Sequence, residues 1–266
     1  MTRLAIVGNS HVGALKRAWD EMAPKPEDVD LDFFAVPDKL RRHFRLKGDL
    51  VYAPRPRIRS EQPAIVETAE KINGASSIAL AGFDAVVLYG GSLLQSEFAT
   101  VIGTYDVDGY RAAGAPRRMS RAAFEAFCDS YSEATLPSAR WFGTRIPRLA
   151  AFPRPLPAEG AEASSNPLLA PWRAVVARPD GARAMVERLF IAMAAAHARH
   201  GIDFLRQPPE TLMANGLTSG DYTRGSSRLN NERHPGEDVS HMNARYGALC
   251  LRSIFDWARQ DAPIAA

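Results

Sequence analysis

Three side chains that together can activate a nucleophile stand near the two ends of the sequence. Ser10 lies in the block GNSH (8–11), directly after a short apolar segment, and Asp238 and His241 lie three residues apart near the other end. A serine hydroxyl is a weak nucleophile unless a histidine takes its proton and a carboxylate orients that histidine. The sequence therefore predicts acyl-transfer chemistry at Ser10, with His241 as the base and Asp238 as its orienting group.

The elements around these residues are suited to holding them at one place. The apolar segment 4–7 predicts a strand and the periodic segment 11–22 predicts a helix, so Ser10 is expected on the tight turn between them. Such a turn presents a side chain at the carboxyl edge of a sheet, where the first N–H groups of the helix also point. Asp238 and His241 precede the apolar-periodic segment 246–257, which predicts the last helix.

These blocks resemble those of the SGNH/GDSL hydrolases. That family carries its nucleophile in a G-[DN]-S block after the first strand and a D-x-x-H block near the C-terminus, which here read GNS (8–10) and DVSH (238–241). Its third block, a strand ending in G-x-N, resembles segment 84–92, with Ser92 in place of the asparagine. The glycine of its second block has no close counterpart, because the chain reads Pro37-Asp38 after segment 31–36.

The resemblance implies a three-layer α/β/α domain with a central parallel sheet, the flavodoxin-like SGNH hydrolase fold. It also implies a serine esterase that works through an acyl-Ser10 intermediate without a cofactor. The oxyanion hole would consist of the backbone N–H groups of Ser10 and of Gly90 or Gly91, with the Ser92 hydroxyl in place of the missing amide. Loss of one such donor costs on the order of 100- to 1000-fold in rate.

The expected substrate is a small molecule or glycan that carries a small acyl ester, with Asn9 and His11 as candidate contact residues. The family includes esterases, lipases, thioesterases and carbohydrate O-acetyl esterases, so the resemblance implies a broad class. Two other functions stay open. A sugar hydroxyl in place of water would make the protein an O-acyltransferase, and the absent asparagine leaves open a non-catalytic glycan-binding or ligand-binding protein on the same fold.

Each of these residues also has a structural interpretation. Ser10 is a favoured residue for capping the first helix, and Asp238 for capping the last, which would leave His241 on the surface. Asn9 tolerates a left-handed backbone at a turn. His11 is equally well interpreted as a partly exposed residue of the first helical turn.

Composition and charge indicate one α/β domain. The chain has 266 residues, of which 46% are hydrophobic, and we expect a single domain 1–266 with loop insertions near 37–60, 153–171 and 215–237. Thirty-three basic and thirty acidic residues give a formal net charge of only +3, which does not indicate a nucleic-acid partner. Arginines concentrated in 41–59 predict either a solvated loop or a basic rim that favours an anionic substrate.

Cysteine usage and apolar runs suggest the compartment and exclude some sites. Cys128 and Cys250 lie in apolar helical patterns and are expected to be buried free thiols in a reducing environment. No Cys/His tetrad is present, so no metal site is expected. The chain passes from Met1-Thr2-Arg3 into the first strand without a signal-type segment, and no apolar run is long enough to span a bilayer. We therefore expect a cytoplasmic protein.

Hydrophobic periodicity predicts alternating strands and helices. The predicted strands are 4–7, 31–36, 85–89, 149–152 and 202–205, and the predicted helices are 11–22, 64–72, 120–132 with Ser120 as its cap, 179–201 and 246–257. This alternation is typical of a parallel sheet covered by helices on both faces.

Overall fold

The computed structural model describes residues 1–47, 50–91, 95–111, 114–115, 117–136, 146, 148–229, 232–234, 236 and 238–260. The strands are β1 (Thr2–Gly8), β2 (Val29–Ala35), β3 (Phe44–Leu46), β4 (Val51–Pro54), β5 (Ile78–Ala79), β6 (Ala85–Gly91), β7 (Tyr105–Val107), β8 (Arg117–Met119), β9 (Leu149–Pro153) and β10 (Asp203–Phe204). The α-helices are α1 (Val12–Glu21), α2 (Asp38–Arg41), α3 (Pro56–Glu61), α4 (Pro63–Asn73), α5 (Gln95–Thr104), α6 (Arg121–Thr135), α7 (Trp172–Val176), α8 (Ala182–Ala198) and α9 (Ala244–Arg259).

The central sheet has five strands in the order β10-β9-β6-β1-β2, and each neighbouring pair is parallel. Numbered along the chain, these strands have the order 2-1-3-4-5 of one common doubly wound arrangement. The connections from β1 and from β6 leave in opposite directions, so a crevice opens at the carboxyl ends of these two strands, where such folds bind ligands. The predicted parallel sheet flanked by helices is confirmed.

Strand β1 shows why the sheet sequence is apolar throughout. Leu4 and Ile6 are fully buried in the cluster formed with α1 and α9, whereas Ala5 and Val7 face a second cluster that contains residues of α4. Because successive side chains point to opposite faces, burial of both faces needs an apolar residue at every position. Strand β1, which leads to Ser10, is therefore held in place by helices packed on both of its faces.

A third apolar cluster joins α5, α6, α7 and α8 beside the sheet. Phe124 and Tyr131 of α6 are buried there, as their helical spacing predicts. The predicted cap of α6 is confirmed, because the Ser120 side chain accepts a hydrogen bond from the N–H of Ala123. Cys128 and Cys250 are free and buried, and burial raises the pKa of each thiol to about 12.

The predicted insertions contain more structure than expected. Segment 37–60 is not simply a loop, because it contains α2, β3, β4 and most of α3, and β3 and β4 join β5 in a small antiparallel sheet. Phe44 and Leu46 are buried while Arg45 is exposed, so β3 has a two-residue period too short to stand out in the sequence. The insertions near 153–171 and 215–237 contain the 3₁₀ turns Ala161–Ala163, Pro167–Leu169 and Gly220–Tyr222.

Within the described part of the chain, every helix is too short or too polar to cross a lipid bilayer.

Candidate active site

Ser10 lies on the turn between β1 and α1, at the carboxyl edge of the central sheet. The start of this turn packs closely against the neighbouring strand, because a Cβ atom on Gly8 would lie 2.3 Å from the carbonyl oxygen of Tyr89. The residue at the N-cap of α1 is His11, and its side chain makes no capping hydrogen bond. The interpretation of Ser10 as a helix cap is therefore wrong, and its hydroxyl is directed elsewhere.

Asn9 fastens the serine turn to its surroundings. It is fully buried, and its amide donates hydrogen bonds to Asp38 Oδ1 (2.9 Å) and to the carbonyl oxygen of Gly90 (2.8 Å). Its Oδ1 accepts a hydrogen bond from the N–H of His11 (3.1 Å). Because these bonds occupy the amide inside the protein, Asn9 is not a substrate contact in this conformation, contrary to the expectation from sequence.

Ser10, His241 and Asp238 form one chain of hydrogen bonds. The Oγ atom of Ser10 lies 3.0 Å from Nε2 of His241, and Nδ1 of His241 lies 2.9 Å from Oδ2 of Asp238. The other carboxylate oxygen of Asp238 accepts the N–H groups of Ser240 (2.8 Å) and His241 (3.0 Å). With Nδ1–H donated to the carboxylate, Nε2 of His241 carries the lone pair that accepts the serine proton.

The alternative role of Asp238, as the cap of the last helix, is not observed. Helix α9 begins at Ala244, and its cap is Asn243, whose side chain accepts a hydrogen bond from the N–H of Tyr246. His241 correspondingly faces Ser10 instead of turning to solvent.

The carboxyl group of Asp238 is held in its ionised form. Burial by itself would raise its pKa, but the hydrogen bond and charge of His241, together with backbone N–H donors, hold the pKa well below its usual range. A permanently charged acceptor fixes the tautomer of His241 and favours the imidazolium that forms when the ring takes a proton.

His234 is a site residue that the sequence reasoning did not single out. Its Nδ1 lies 3.0 Å from Oδ2 of Asp238, the same oxygen that binds His241, and its ring stacks on His241 with centroids 4.0 Å apart and planes 11° apart. The signal that could have found it is the spacing H-x₃-D-x₂-H in 234–241, which brings two histidines to one carboxylate.

His11 lies against His241 as well, with ring centroids 4.9 Å apart and planes 20° apart. The expectation of a partly exposed His11 is wrong, since the residue is only 8% exposed. Burial lowers its pKa well below the usual value, and the nearby charges of His241 and Arg154 add to this effect while Asp238 opposes it. The ring is therefore neutral around pH 7.

His234, Asp238 and His241 are also the one group among the described residues with ligand atoms close enough to hold a metal ion, all within 4.8 Å of one another. The ring orientation does not suit a metal, however. A nitrogen binds a metal along its lone pair, in the plane of its ring, and two rings that lie face to face place their lone pairs in two nearly parallel planes. An ion about 2 Å from both Nδ1 atoms would lie outside the ring planes.

The residues predicted for the oxyanion hole lie beside the serine turn, at the end of β6. Gly90 has a positive φ of 75°, and a Cβ atom there would lie 2.2 Å from Oδ1 of Asn9, so only glycine fits against the turn. Gly91 is partly exposed, and a Cβ atom there would meet nothing within 4 Å. Ser92 lies outside the described residues, so its predicted role stays a prediction.

A cavity of about 340 Å³ opens beside the histidine. Its walls are Asp238 to His241 on one side and Ser164, Asn166 and Leu169 on the other. Next to His241, the cavity therefore offers the hydroxyl of Ser164, the amide of Asn166 and the apolar surface of Leu169.

The predicted basic rim of segment 41–59 divides into two parts. Arg41 reaches the site and forms an ion pair with Asp38 (3.4 Å), which also binds Arg154 (3.2 Å). Arg57 is instead 84% exposed and is paired with Glu61 on the same helix. Only part of the arginine cluster therefore borders the sheet edge, and there Asp38 is shared between Arg41 and Arg154.

No protein-family model matches the chain, and no curated protein matches it at a significant level. Among solved structures, the crystal structure of a DUF4886 family protein from Bacteroides uniformis is similar, with a TM-score of 0.41 and 12% sequence identity, over 100% of this chain and 87% of that chain. The function proposed below accordingly rests on side-chain geometry.

Proposed function

We propose that this protein is a serine esterase of the SGNH type, which cleaves a small acyl ester through an acyl-Ser10 intermediate. The observation that supports this proposal is the continuous contact from Ser10 Oγ to His241 Nε2 (3.0 Å) and from His241 Nδ1 to Asp238 Oδ2 (2.9 Å). A nucleophile, a base and an orienting carboxylate within hydrogen-bond reach are the arrangement that acyl transfer needs.

In the proposed reaction, His241 Nε2 removes the proton of the Ser10 hydroxyl as Oγ attacks the ester carbonyl carbon. The protonated ring then gives this proton to the leaving alcohol, and the C–O bond of the ester breaks. In the second half, water attacks the acyl carbon of the acyl-serine and gives a proton to His241. The C–Oγ bond then breaks, the acid leaves, and His241 returns the proton to Oγ of Ser10. Asp238 stays ionised throughout and orients the ring.

The oxyanion of each tetrahedral intermediate needs donors at the serine turn. We assign this role to the backbone N–H groups of Ser10 and of Gly90 or Gly91, with the Ser92 hydroxyl as a further candidate. Gly91 is the better placed of the two glycines because open space adjoins it. The carbonyl of Gly90 is instead occupied by the Asn9 amide.

O-acyltransfer is the second candidate, and the cavity beside His241 favours it. Ser164 and Asn166 in its wall could bind the hydroxyl groups of a sugar acceptor, so that a sugar oxygen instead of water would attack the acyl-serine. A rise in acyl-ester product at the expense of free acid, on addition of a sugar to a reaction with p-nitrophenyl acetate, would distinguish transfer from hydrolysis.

The test of an activated serine needs no substrate. We expect a fluorophosphonate probe to label the purified protein at Ser10, as mapped by mass spectrometry of the peptides, and the labelling to disappear in Ser10→Ala and His241→Ala. Ser227→Ala is a matched control that changes another serine and should label normally. Absence of labelling in the folded wild-type protein would contradict the proposal and favour a ligand-binding role.

A further inference from the structure

Three imidazole rings form a stack through the proposed active site. His241 lies nearly parallel to His234, at 4.0 Å, and to His11, at 4.9 Å. Among the described residues no ring contact joins His11 to His234, so these two rings cover opposite faces of His241. A catalytic base needs one orienting partner, which Asp238 provides. The ring of His241 is in addition contacted on both faces by other imidazole rings.

His234 differs from His11 because it also binds the carboxylate. Its Nδ1 lies 3.0 Å from Oδ2 of Asp238, and the Nδ1 of His241 donates to the same oxygen at 2.9 Å. The His234 side chain is only 8% exposed, less than the 17% of Asp238 and the 23% of His241. This imidazole is therefore part of the site, with its Nδ1 in contact with the carboxylate and one face of its ring on His241.

We propose that His234 is a positioning residue of this site, which clamps Asp238 through Nδ1 and holds the ring of His241 in the plane that faces Ser10. The inference rests on the proposed function, because it assigns His234 to the same reaction. No proton passes through His234. The proton of Ser10 moves to Nε2 of His241 and on to the leaving alcohol. The Nδ1–H group of His234 keeps its proton and stays in contact with the carboxylate.

The electrostatic surroundings keep His234 neutral while His241 is charged. Burial lowers the pKa of His234, the charges of His241 and Arg228 lower it further, and Asp238 opposes them. Burial likewise lowers the pKa of His11, with Arg154 contributing. The imidazolium of the reaction therefore forms between two neutral rings.

The test separates the two contacts of His234 by two variants. Asparagine places its amide nitrogen where Nδ1 of histidine lies, so His234→Asn keeps the donor and removes the ring. His234→Phe keeps a ring on His241 and removes the donor. The readouts are the rate of fluorophosphonate labelling between pH 5 and pH 9, the thermal stability of each variant, and the titration of the His241 ring followed by NMR.

We expect His234→Phe to lower the labelling rate about tenfold or more at pH 7.5, since the carboxylate loses one of its clamps. We also expect the acid limb of the pH–rate profile to move to higher pH by about half a unit or more, because the Asp238 carboxylate then binds His241 alone. His234→Asn should keep the wild-type acid limb and most of the rate. His200→Phe, at a partly exposed histidine just beyond α8, is the control and should leave both unchanged.

Wild-type rates and pH dependence in both variants would overturn the proposal, as would equal shifts in both. The NMR titration separates this failure from that of the proposed function. If wild-type Ser10 is not labelled but the His241 titration moves in His234→Phe and not in His234→Asn, the clamp stands and the esterase does not. If neither variant moves the titration, the clamp is wrong whether or not Ser10 reacts.

Discussion

The two halves of the candidate site are built in different ways. The serine turn, 8–11, is enclosed by the sheet. The backbone of β6 lies so close to Gly8, and the side chain of Asn9 so close to Gly90, that both positions accept only glycine. The base segment, 234–241, lies in the loop before α9. Hydrogen bonds and close polar contacts around Asp238 fix its position. Packing therefore places Ser10, the proposed nucleophile, while hydrogen bonds and ring stacking place His241, the proposed base.

This difference predicts two classes of defect. Substitutions in the serine turn should lower the stability of the whole fold, because they disturb the contact between two central strands. Substitutions in the base segment should leave the fold intact and lower the activity, because few apolar contacts depend on them. The following predictions test this contrast, from the largest expected effect to the smallest.

Asp238→Asn should have the largest effect, and on activity alone. The amide can still accept the backbone N–H groups at one atom, but its NH₂ group faces the Nδ1 atoms of His241 and His234, so His241 is driven to the tautomer that cannot accept the serine proton. We expect labelling at Ser10 to slow about 10³- to 10⁴-fold. Thermal unfolding near that of the wild-type protein would agree with the contrast, whereas unfolding of the whole domain would contradict it.

Gly8→Ala should destabilise the fold strongly. The new Cβ would lie 2.3 Å from the carbonyl oxygen of Tyr89, and backbone on a central strand cannot move aside as a flexible side chain does. We expect a loss of about 2 to 4 kcal/mol in the free energy of unfolding, measured by urea denaturation. Gly91→Ala is the matched control on the neighbouring strand, since its Cβ would meet nothing within 4 Å. An equal loss in both variants would remove the packing argument.

Asn9→Asp should destabilise the protein by about 2 to 3 kcal/mol, because it replaces a donor with a carboxylate that faces Asp38 and the carbonyl oxygen of Gly90. The double variant Asn9→Asp/Asp38→Asn restores a donor and an acceptor between residues 9 and 38 but leaves the Gly90 carbonyl without its donor. Urea denaturation should therefore show a partial rescue. Full rescue, or none, would show that the two bonds do not contribute as we infer.

The pH dependence of stability should show the smallest effect. Because burial lowers the pKa of His11 in the folded protein, the unfolded chain binds the proton more readily, so this stability is fully present above the unfolded pKa of about 6.5 and is lost as the pH falls below it. The Asp238 carboxyl acts in the same direction at lower pH. We expect His11→Phe to lose less stability than the wild-type protein between pH 7.5 and pH 5.0. An unchanged loss would mean that His11 is not the group responsible.

Much of the fold follows from local sequence. The apolar segment 4–7 predicted β1, the periodicity of 246–257 predicted α9, and both are confirmed within a few residues. Short elements with weak signals were missed, such as β3, β4 and the α2 turn in the predicted insertion. A two- or three-residue alternation of apolar and charged residues does not differ enough from a loop until another strand pairs with it.

The candidate site divides in the same way. Ser10, Asp238 and His241 could be identified from the sequence because their residue types and short spacing indicate a chemical role. Local turn preferences also indicate where these residues lie in the fold. The burial of Asn9 and His11 could not be predicted from the sequence. It depends on contacts with Gly90 and His241, which lie 81 and 230 positions away in the chain (90 − 9 and 241 − 11).

The sequence by itself determined a strand, a turn with a serine, a late Asp-x-x-His pair and an alternation typical of a parallel sheet. Only the tertiary structure decided that the serine and the histidine meet at 3.0 Å, and that a second histidine shares the carboxylate. The physical reason is that periodicity and turn chemistry act between near neighbours. The parallel order of β1 and β6 instead brings together residues such as Asn9 and Gly90, 81 positions apart, and the packing of α9 on α1 brings together residues more than 200 positions apart.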